Sequence, residues 1–293
     1  MTSITLLPPE IVGAILDQLA TLCQNGHNEK LNENLRSCMQ VSRSLHSHAR
    51  SLLFSNLTLV VIAGEKDPLS SRNLRALLEG DPDLAKLVRT FRLHLRGYSA
   101  PSRKVLDEHL PAILGLLPNL SKLNLASLDG STGWRGFNDQ ILAAMFKLHE
   151  LPHLKSLELF GYNLSVPIDF VVRWSTLTDL IIHASPFDMN VKDNQKNSVP
   201  KYIKERTPAE LTSLHLLTNF GGLAILLDPR NWALLRGLIN LKANIYGQRD
   251  WAMLWKVMQR DCITVQNLTI RNLYSELTYS IPREKLVTIF NLP

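Results

Sequence analysis

The sequence predicts an α/β fold, in which helical segments near the N-terminus lead into a long series of alternating strands and helices. Two observations predict it. Leucine accounts for 55 of the 293 residues, an excess that indicates internal repeats. One leucine pattern recurs along most of the chain, and the apolar residues between its copies follow the helical period of about 3.6 residues.

The leucine pattern is L-x-x-L-x-L, the spacing that is typical of a leucine-rich repeat. Looser copies begin at Val88, Leu238 and Val265. Successive copies begin 23 to 34 residues apart, so the sequence predicts an irregular leucine-rich-repeat solenoid of alternating strands and helices, with loop insertions. Four copies keep the spacing closely: Leu120-Leu123-Leu125, Leu154-Leu157-Leu159, Leu177-Leu180-Ile182 and Leu211-Leu214-Leu216.

Apolar stripes between the leucine copies predict the helices. The stripe at positions i, i+3, i+4 and i+7 is formed by Trp251, Leu254, Trp255 and Met258. One strand and one helix cannot enclose a core, so we expect each unit to bury its apolar side chains against the next. Residues 186–208, rich in Asn, Lys and Asp, predict an exposed loop between two units. The sequence ends at Pro293, after an amphipathic run. In the other units a strand begins at this point, so we expect that the last unit could be incomplete.

Composition and charge narrow the classes of function. The chain has 45% apolar and 20% charged residues, an ordinary globular composition, with no apolar run of the roughly 18 residues that a membrane helix needs. Its first residues lack a signal-peptide pattern. Three cysteines without CxxC spacing favour a reducing compartment, cytoplasmic or nuclear or both. The net charge of +6 is modest, and residues 1–60 hold equal numbers of acidic and basic residues, so we expect neither a nucleic-acid nor a membrane partner.

The first 60 residues differ from the rest and predict three helices. Leu7-Pro8-Pro9-Glu10-Ile11 predicts a helix start, because proline is tolerated in a first turn and Glu10 meets the positive end of the helix dipole. Ile15, Leu16 and Leu19 continue an apolar stripe at helical spacing. Two further helical runs follow between residues 35 and 54.

This segment resembles an F-box, and the chain as a whole resembles the fungal F-box-like proteins with degenerate leucine-rich repeats. The shared residues are LPPEI at 7–11, IL at 15–16, LRSCMQVSRSLHSHA at 35–49 and LLFSNLTL at 52–59. Leu45 stands where the family commonly has Trp, and the loop between the first two helices is longer than in the shortest F-boxes. The resemblance implies an F-box-like helical domain at 1–60 and a leucine-rich-repeat-like solenoid at 61–293.

The resemblance also implies a function. In this family the F-box binds a Skp-type adaptor, which joins the protein to a cullin-RING ubiquitin ligase, while the repeats hold a protein substrate. The chain is then a substrate-recognition subunit, not an enzyme, and needs no cofactor. The alternative is a leucine-rich-repeat scaffold whose N-terminal helices only cap the solenoid. The residues that we expect at the adaptor contact are Leu7, Pro8, Ile11, Ile15, Leu16, Val41 and Leu45.

The substrate-binding surface is predicted from strand geometry. Side chains alternate across a strand, so the residues between the leucines point to the face opposite the core. Mixed charge with exposed Phe and Ile favours a protein partner over a polyanion, and the alternative is a solvated face without a ligand. The candidate substrate-binding residues are Arg92, His94, Arg96, Lys122, Glu158, Phe160, Asp179, His183, His215 and Arg271.

Two residue patterns could carry catalysis, and neither is favoured. His149 to His153 fits the zinc-protease motif H-E-x-x-H, but Pro152 prevents the continuous helix that would place both histidines on one metal ion. Cys38 could act as a nucleophile with His46 or His48, but it lies on an apolar stripe, where a cysteine behaves as a small hydrophobic residue. We therefore predict no catalytic residue and no metal ligand.

Overall fold

The computed structural model describes residues 9–24, 29–62, 69–96, 100–127, 134–161, 164, 166–183, 210–217, 233–245, 250, 252, 254, 256, 264–272 and 278–282. Three helices come first: α1 (Pro9–Gln24), α2 (Glu29–Cys38) and α3 (Arg43–Phe54). Strands and helices then alternate: β1 (Asn56–Ile62), α4 (Leu69–Gly80), α5 (Pro82–Leu87), β2 (Thr90–Arg96), α6 (Ala100–Gly115), β3 (Lys122–Ser127), α7 (Asp139–Lys147), β4 (Ser156–Phe160), α8 (Ile168–Val172) and β5 (Asp179–His183). The last described strands are β6 (Ser213–Leu216), β7 (Asn240–Ile245), β8 (Asn267–Asn272) and β9 (Thr278–Pro282).

The strands form one sheet whose spatial order follows the chain from β1 to β9. Strands β1 to β8 pair in parallel, and β9 pairs antiparallel with β8. Parallel neighbours need a crossover connection, and helices supply it between several of these strands. The predicted α/β class is confirmed.

The leucine pattern sets the register of the sheet. Each strand from β2 to β8 begins two residues after the first residue of a leucine copy. The second leucines of the copies pair side by side: Leu123 with Leu157, Leu157 with Leu180, Leu180 with Leu214, Leu214 with Leu241 and Leu241 with Leu268. A one-residue slip would move these leucines to the other face, so their burial fixes the register.

The main core lies on the leucine side of the sheet. Helical residues such as Leu78, Leu110, Ile141 and Phe170 pack there with the strand leucines. A cluster of aromatic side chains forms part of this core, and the ring centroids of Trp134 and Phe170 lie 4.5 Å apart. The other members of the cluster are Phe137, Phe146 and Trp174.

The N-terminal helices have a small core of their own. It consists of Leu16, Leu35, Leu45 and Ala49, with Val12, Cys38 and Leu52 among the partly buried residues around it. The Ser42 side chain caps α3 by accepting a hydrogen bond from the Leu45 backbone N–H at 3.2 Å. Helix α1 contacts both α2 and α3. The sequence predicts a helix start at residues 7–11 and two helical runs between residues 35 and 54. The structure has α1 from Pro9 and α3 at Arg43–Phe54, while α2 begins earlier than predicted, at Glu29.

Helix α3 joins this bundle to the sheet. Arg50 on α3 forms an ion pair with Asp81, which caps α5. The carbonyl of Ser55 accepts hydrogen bonds from the backbone N–H groups of Arg89 and Thr90, at 2.8 and 2.9 Å. Strand β1 begins at Asn56, so the domain boundary that we predict at residue 60 falls inside a strand that pairs with β2.

Some predicted features lie partly or wholly outside the described residues. The loop at 186–208 and the C-terminal run are outside them. Of the predicted helix at 251–258, residues 252, 254 and 256 are described as helical, and Leu254 is buried. Within the described ranges, no helix is both long and apolar enough to cross a membrane.

Candidate protein-binding surfaces

The sheet leaves one face open, opposite the leucine core. Arg92, Asn124, Glu158, Ile181 and His215 follow one another across five strands as register partners. All ten predicted substrate-binding residues lie on this same side, because each stands an even number of positions from that row within its strand. We call this surface the open face. Its residues in β2 to β8 include Arg92, Arg96, Lys122, Asn124, Glu158, Phe160, Asp179, Ile181, His183, His215, Lys242 and Arg271.

Glu158 is the centre of a charged network on the open face. Its Oε2 lies 2.7 Å from Lys122 Nζ on β3, and its Oε1 accepts a hydrogen bond from His183 Nε2 on β5 at 3.1 Å. The hydrogen bond from His183 and then the one from Lys122 lower the pKa of the Glu158 carboxyl to about 2, against the opposing effect of burial. Glu158 is therefore ionised, and its charge is matched by side chains on both neighbouring strands.

An aromatic side chain stands beside this network. Phe160 is 41% exposed, which is high for a phenylalanine, and its ring centroid is 5.4 Å from that of His183. Gly161 follows with a φ of +121°, and its N–H donates to the His183 carbonyl at 3.3 Å. A Cβ at Gly161 would collide with the Ser127 carbonyl oxygen, so only glycine fits this turn. The turn fixes Phe160 at the end of β4.

Asn124 stands between Arg92 and Glu158 in the register. It is only 8% exposed, and its Oδ1 has no hydrogen-bond partner among the described residues. A buried amide oxygen without a donor is costly. Asn124 is thus a locally destabilising residue of the open face.

His215 continues the row of Glu158 onto β6. Burial and then the nearby Lys242 ammonium lower the pKa of its imidazole, against the attraction of Asp179. His215 is therefore neutral at neutral pH. Asp179 accepts a hydrogen bond from the Thr178 hydroxyl at 2.9 Å.

Basic side chains lie towards both ends of the open face. Arg96 on β2 and both Lys242 on β7 and Arg271 on β8 are exposed, while Arg92 is partly exposed. The described strands β2 to β8 place five Lys or Arg residues on this face, against the two carboxylates Glu158 and Asp179. The surplus is positive, and it lies away from the Glu158 network.

Lys242 is a residue of the open face that the sequence prediction missed. It lies between Leu241 and Ala243 in one of the looser leucine copies. The position between the last two apolar residues of every copy is the signal that would have found it. The burial of Asn124, in contrast, depends on its neighbours in space and has no sequence signal.

The second surface is on the N-terminal helices. Ile11 and Ile15 lie one turn apart on α1, and each is 49% exposed. Val41, in the turn between α2 and α3, is 59% exposed. We call these three residues the helical patch. Val41 adjoins an open depression of about 510 Å³ lined by Met39, Gln40, Ser42, Arg43 and His46.

The remaining residues of the predicted adaptor contact have other places. Leu16 and Leu45 are buried in the small helical core, at 2% and 8% exposure. Their side chains form the core that holds the three helices together. Leu7 and Pro8 lie outside the described residues.

The H-E-x-x-H pattern at His149 to His153 does not form the continuous helix of a zinc protease. Helix α7 ends at Lys147, and His149 is buried in a short 3₁₀ turn, 4.9 Å from the Trp174 ring, while His153 is exposed beyond Pro152. No cluster of three His, Cys, Asp or Glu residues suited to a metal ion occurs in the described part of the chain.

The histidines near Cys38 have other partners. His46 Nδ1 lies 3.0 Å from the Met39 carbonyl, and His48 Nε2 lies 3.0 Å from Asp17 Oδ1 on α1. Cys38 itself is half-buried against the small helical core. His46 therefore contacts the turn after α2, and His48 contacts α1.

No protein-family model matches the sequence, and no curated protein matches it.

Proposed function

We propose that this chain is the substrate-recognition subunit of a Skp-cullin-F-box ubiquitin ligase. The helical patch would bind the Skp-type adaptor, and the open face would hold a protein substrate. The N-terminal helices then act as the F-box, and the strand-and-helix units as a leucine-rich-repeat solenoid. The chain itself catalyses no reaction, binds no cofactor and works in the cytoplasm, the nucleus or both.

The observation that carries the proposal is the exposure of Ile11 and Ile15 above a core that is already closed. The bundle buries Leu16, Leu35, Leu45 and Ala49 without them. Burial of a large apolar side chain contributes about 1.5–3 kcal/mol. Two isoleucines one helical turn apart are suited to receive a partner's helix.

The physical role of the chain is to raise the local concentration of the substrate near the ubiquitin carrier. A substrate on the open face is held near a ubiquitin carrier bound elsewhere in the same ligase, so their encounter becomes intramolecular. The two surfaces are formed by different parts of the chain, the helices before Asn56 and strands β2 to β8. A protein can therefore bind to each of them independently.

The experiment is co-purification of a Skp-type adaptor and a cullin with the full chain. The variant Ile11→Ala/Ile15→Ala removes the exposed apolar area from α1. The matched control is Val60→Ala/Leu77→Ala, which truncates two other exposed apolar residues, on β1 and α4. We expect the control to retain the adaptor and the α1 variant to lose it, with unchanged circular dichroism for both.

A second function is favoured by one contact. Helix α3 packs against β1 and α5, which is what a cap on the first strand would do. In that case the chain is a leucine-rich-repeat scaffold without a ligase. Retention of the open face's protein partner by a chain that binds no adaptor would favour the scaffold.

A further inference from the structure

The open face has a charge pattern that selects a class of ligand. At its centre, Glu158 already has its charge matched by Lys122 and His183. Asp179 lies two positions earlier on β5 than Ile181, in the row where the strands begin. The part of the face towards the strand ends therefore presents positive charge at both sides and no unmatched carboxylate among its described residues.

Four basic side chains form the two sides. Arg92 and Arg96 lie on β2, and no described residue forms an ion pair with either of them. Lys242 and Arg271, on β7 and β8, are exposed. Exposed charges of one sign attract an oppositely charged ligand and set its orientation.

Between these sides lies an apolar centre. Phe160 is exposed, and Ile181 lies beside Glu158 on the next strand, in the same row. An aromatic ring in a polar setting is a typical anchor point of a protein interface.

We infer that the open face binds an extended acidic peptide segment with one large apolar side chain near its middle. The apolar side chain packs on Phe160 and Ile181. Acidic side chains before and after it pair with Arg92 and Arg96 on one side, and with Lys242 and Arg271 on the other. The inference rests on the proposed function, since it names the substrate class of the same face.

The dimensions give the length of the segment. Strands β2 and β8 are separated by six steps in the sheet order. At roughly 4.8 Å a step they lie about 29 Å apart, which an extended chain spans in about nine residues. A shorter acidic peptide reaches only one of the two basic sides.

The probe is a fluorescein-labelled peptide of about nine residues, with Asp and Glu at both ends and Phe in the middle, titrated with the purified full chain and followed by fluorescence anisotropy. We expect Arg92→Glu/Arg96→Glu to weaken binding about tenfold or more, since each such pair contributes through charge and hydrogen bonding. Phe160→Ala, or Ser for Phe in the peptide, should weaken it by a similar factor. Added salt should weaken binding through screening.

The matched control is Arg72→Glu/Arg236→Glu, which makes the same change in net charge at two exposed arginines away from the open face. It should leave the affinity within about twofold, because separated surface charges are screened. Circular dichroism verifies that each variant is folded.

Three results would overturn the inference. The first is that the folded chain does not bind the peptide. The second is that the control and the Arg92/Arg96 variant lose equal amounts of affinity for the peptide. The third is that the chain binds a single-stranded oligonucleotide of matched length as tightly as it binds the peptide. The last would make the face a general polyanion surface. Adaptor binding by the same preparation separates this failure from failure of the proposed function.

Discussion

Lys122 and Glu158 join two neighbouring strands of the open face by an ion pair of 2.7 Å, and both side chains are largely shielded from water. Glu158 extends the link to His183 on the third strand. Three successive strands are therefore tied by side chains on the face where no leucine core holds them. A charged network of this kind fixes the positions of the groups around it, including Phe160.

The stability of the protein should depend on Glu158 in a defined pH window. Because the pKa of its carboxyl falls from 4.5 to about 2 on folding, its stabilisation is complete above pH 4.5 and is lost as the pH falls through 2. The size is on the order of 2–3 kcal/mol. Glu158→Gln should be less stable than the wild type at pH 7, and the difference should close near pH 2.

Urea unfolding at several pH values measures this difference. The control is Glu79→Gln, which removes a carboxylate paired with Arg75 on the exposed side of α4. Its effect should stay within about 0.5 kcal/mol, as is usual for exposed ion pairs. A Glu158→Gln deficit that persists unchanged to pH 2 would contradict the assigned role of the carboxylate.

Gly161 should not tolerate a side chain. Its φ of +121° is strained for any other residue, and a Cβ would meet the Ser127 carbonyl. Gly161→Ala should cost about 1–3 kcal/mol of unfolding free energy from the backbone alone. Gly80→Ala is the matched control, since nothing lies within 4 Å of a Cβ there, and it should be neutral or stabilising by up to about 1 kcal/mol. Equal effects in thermal unfolding would contradict the tight turn after Phe160.

Asn124 should separate stability from binding. Asn124→Ala removes a buried oxygen that lacks a partner in the free protein, so the melting temperature should stay the same or rise. Affinity for the acidic peptide should stay within about twofold, because the Asn124 oxygen is not accessible from the open face. A destabilised variant, or one that binds the peptide clearly more weakly, would contradict this assignment.

The two kinds of residue in the predicted adaptor contact should behave differently. Leu16→Ala opens a cavity in the small helical core and should cost about 2–5 kcal/mol of stability in the helices. Ile15→Ala, at an exposed site, should change stability by less than about 0.5 kcal/mol and still weaken adaptor binding. Chemical denaturation followed by circular dichroism tests the first statement, and adaptor titration tests the second.

Much of the sheet could be predicted from the sequence because one face of each strand is leucine. Burial forces those side chains to one side and fixes the register, so the positions of Arg92 and Glu158 on the other side followed from alternation alone. Strand β1 was not predicted. Its residues Leu57 and Leu59 directly follow the helical run of α3 and do not belong to a complete L-x-x-L-x-L copy.

The interactions on the open face depend on distances between strands that are far apart in sequence. Glu158 and His183 meet only because β4 and β5 are neighbours in the sheet. The residues that connect these strands contain no sequence pattern that predicts contact between the two side chains. The burial of Leu16 and Leu45 was likewise hidden, since the spacing of an apolar stripe does not say which of its members faces the other helices. Ile15 and Leu16 are adjacent, and only one of them is in the core.

Binding of a Skp-type adaptor by the N-terminal helices can be measured by titration of purified adaptor into the purified full chain. We expect a complex with a dissociation constant in the micromolar range or tighter. Ile11→Ala/Ile15→Ala should weaken it by at least tenfold, while Val60→Ala/Leu77→Ala leaves it unchanged. No heat of binding from the folded wild-type chain, or equal affinity for all three proteins, would contradict the proposed adaptor binding.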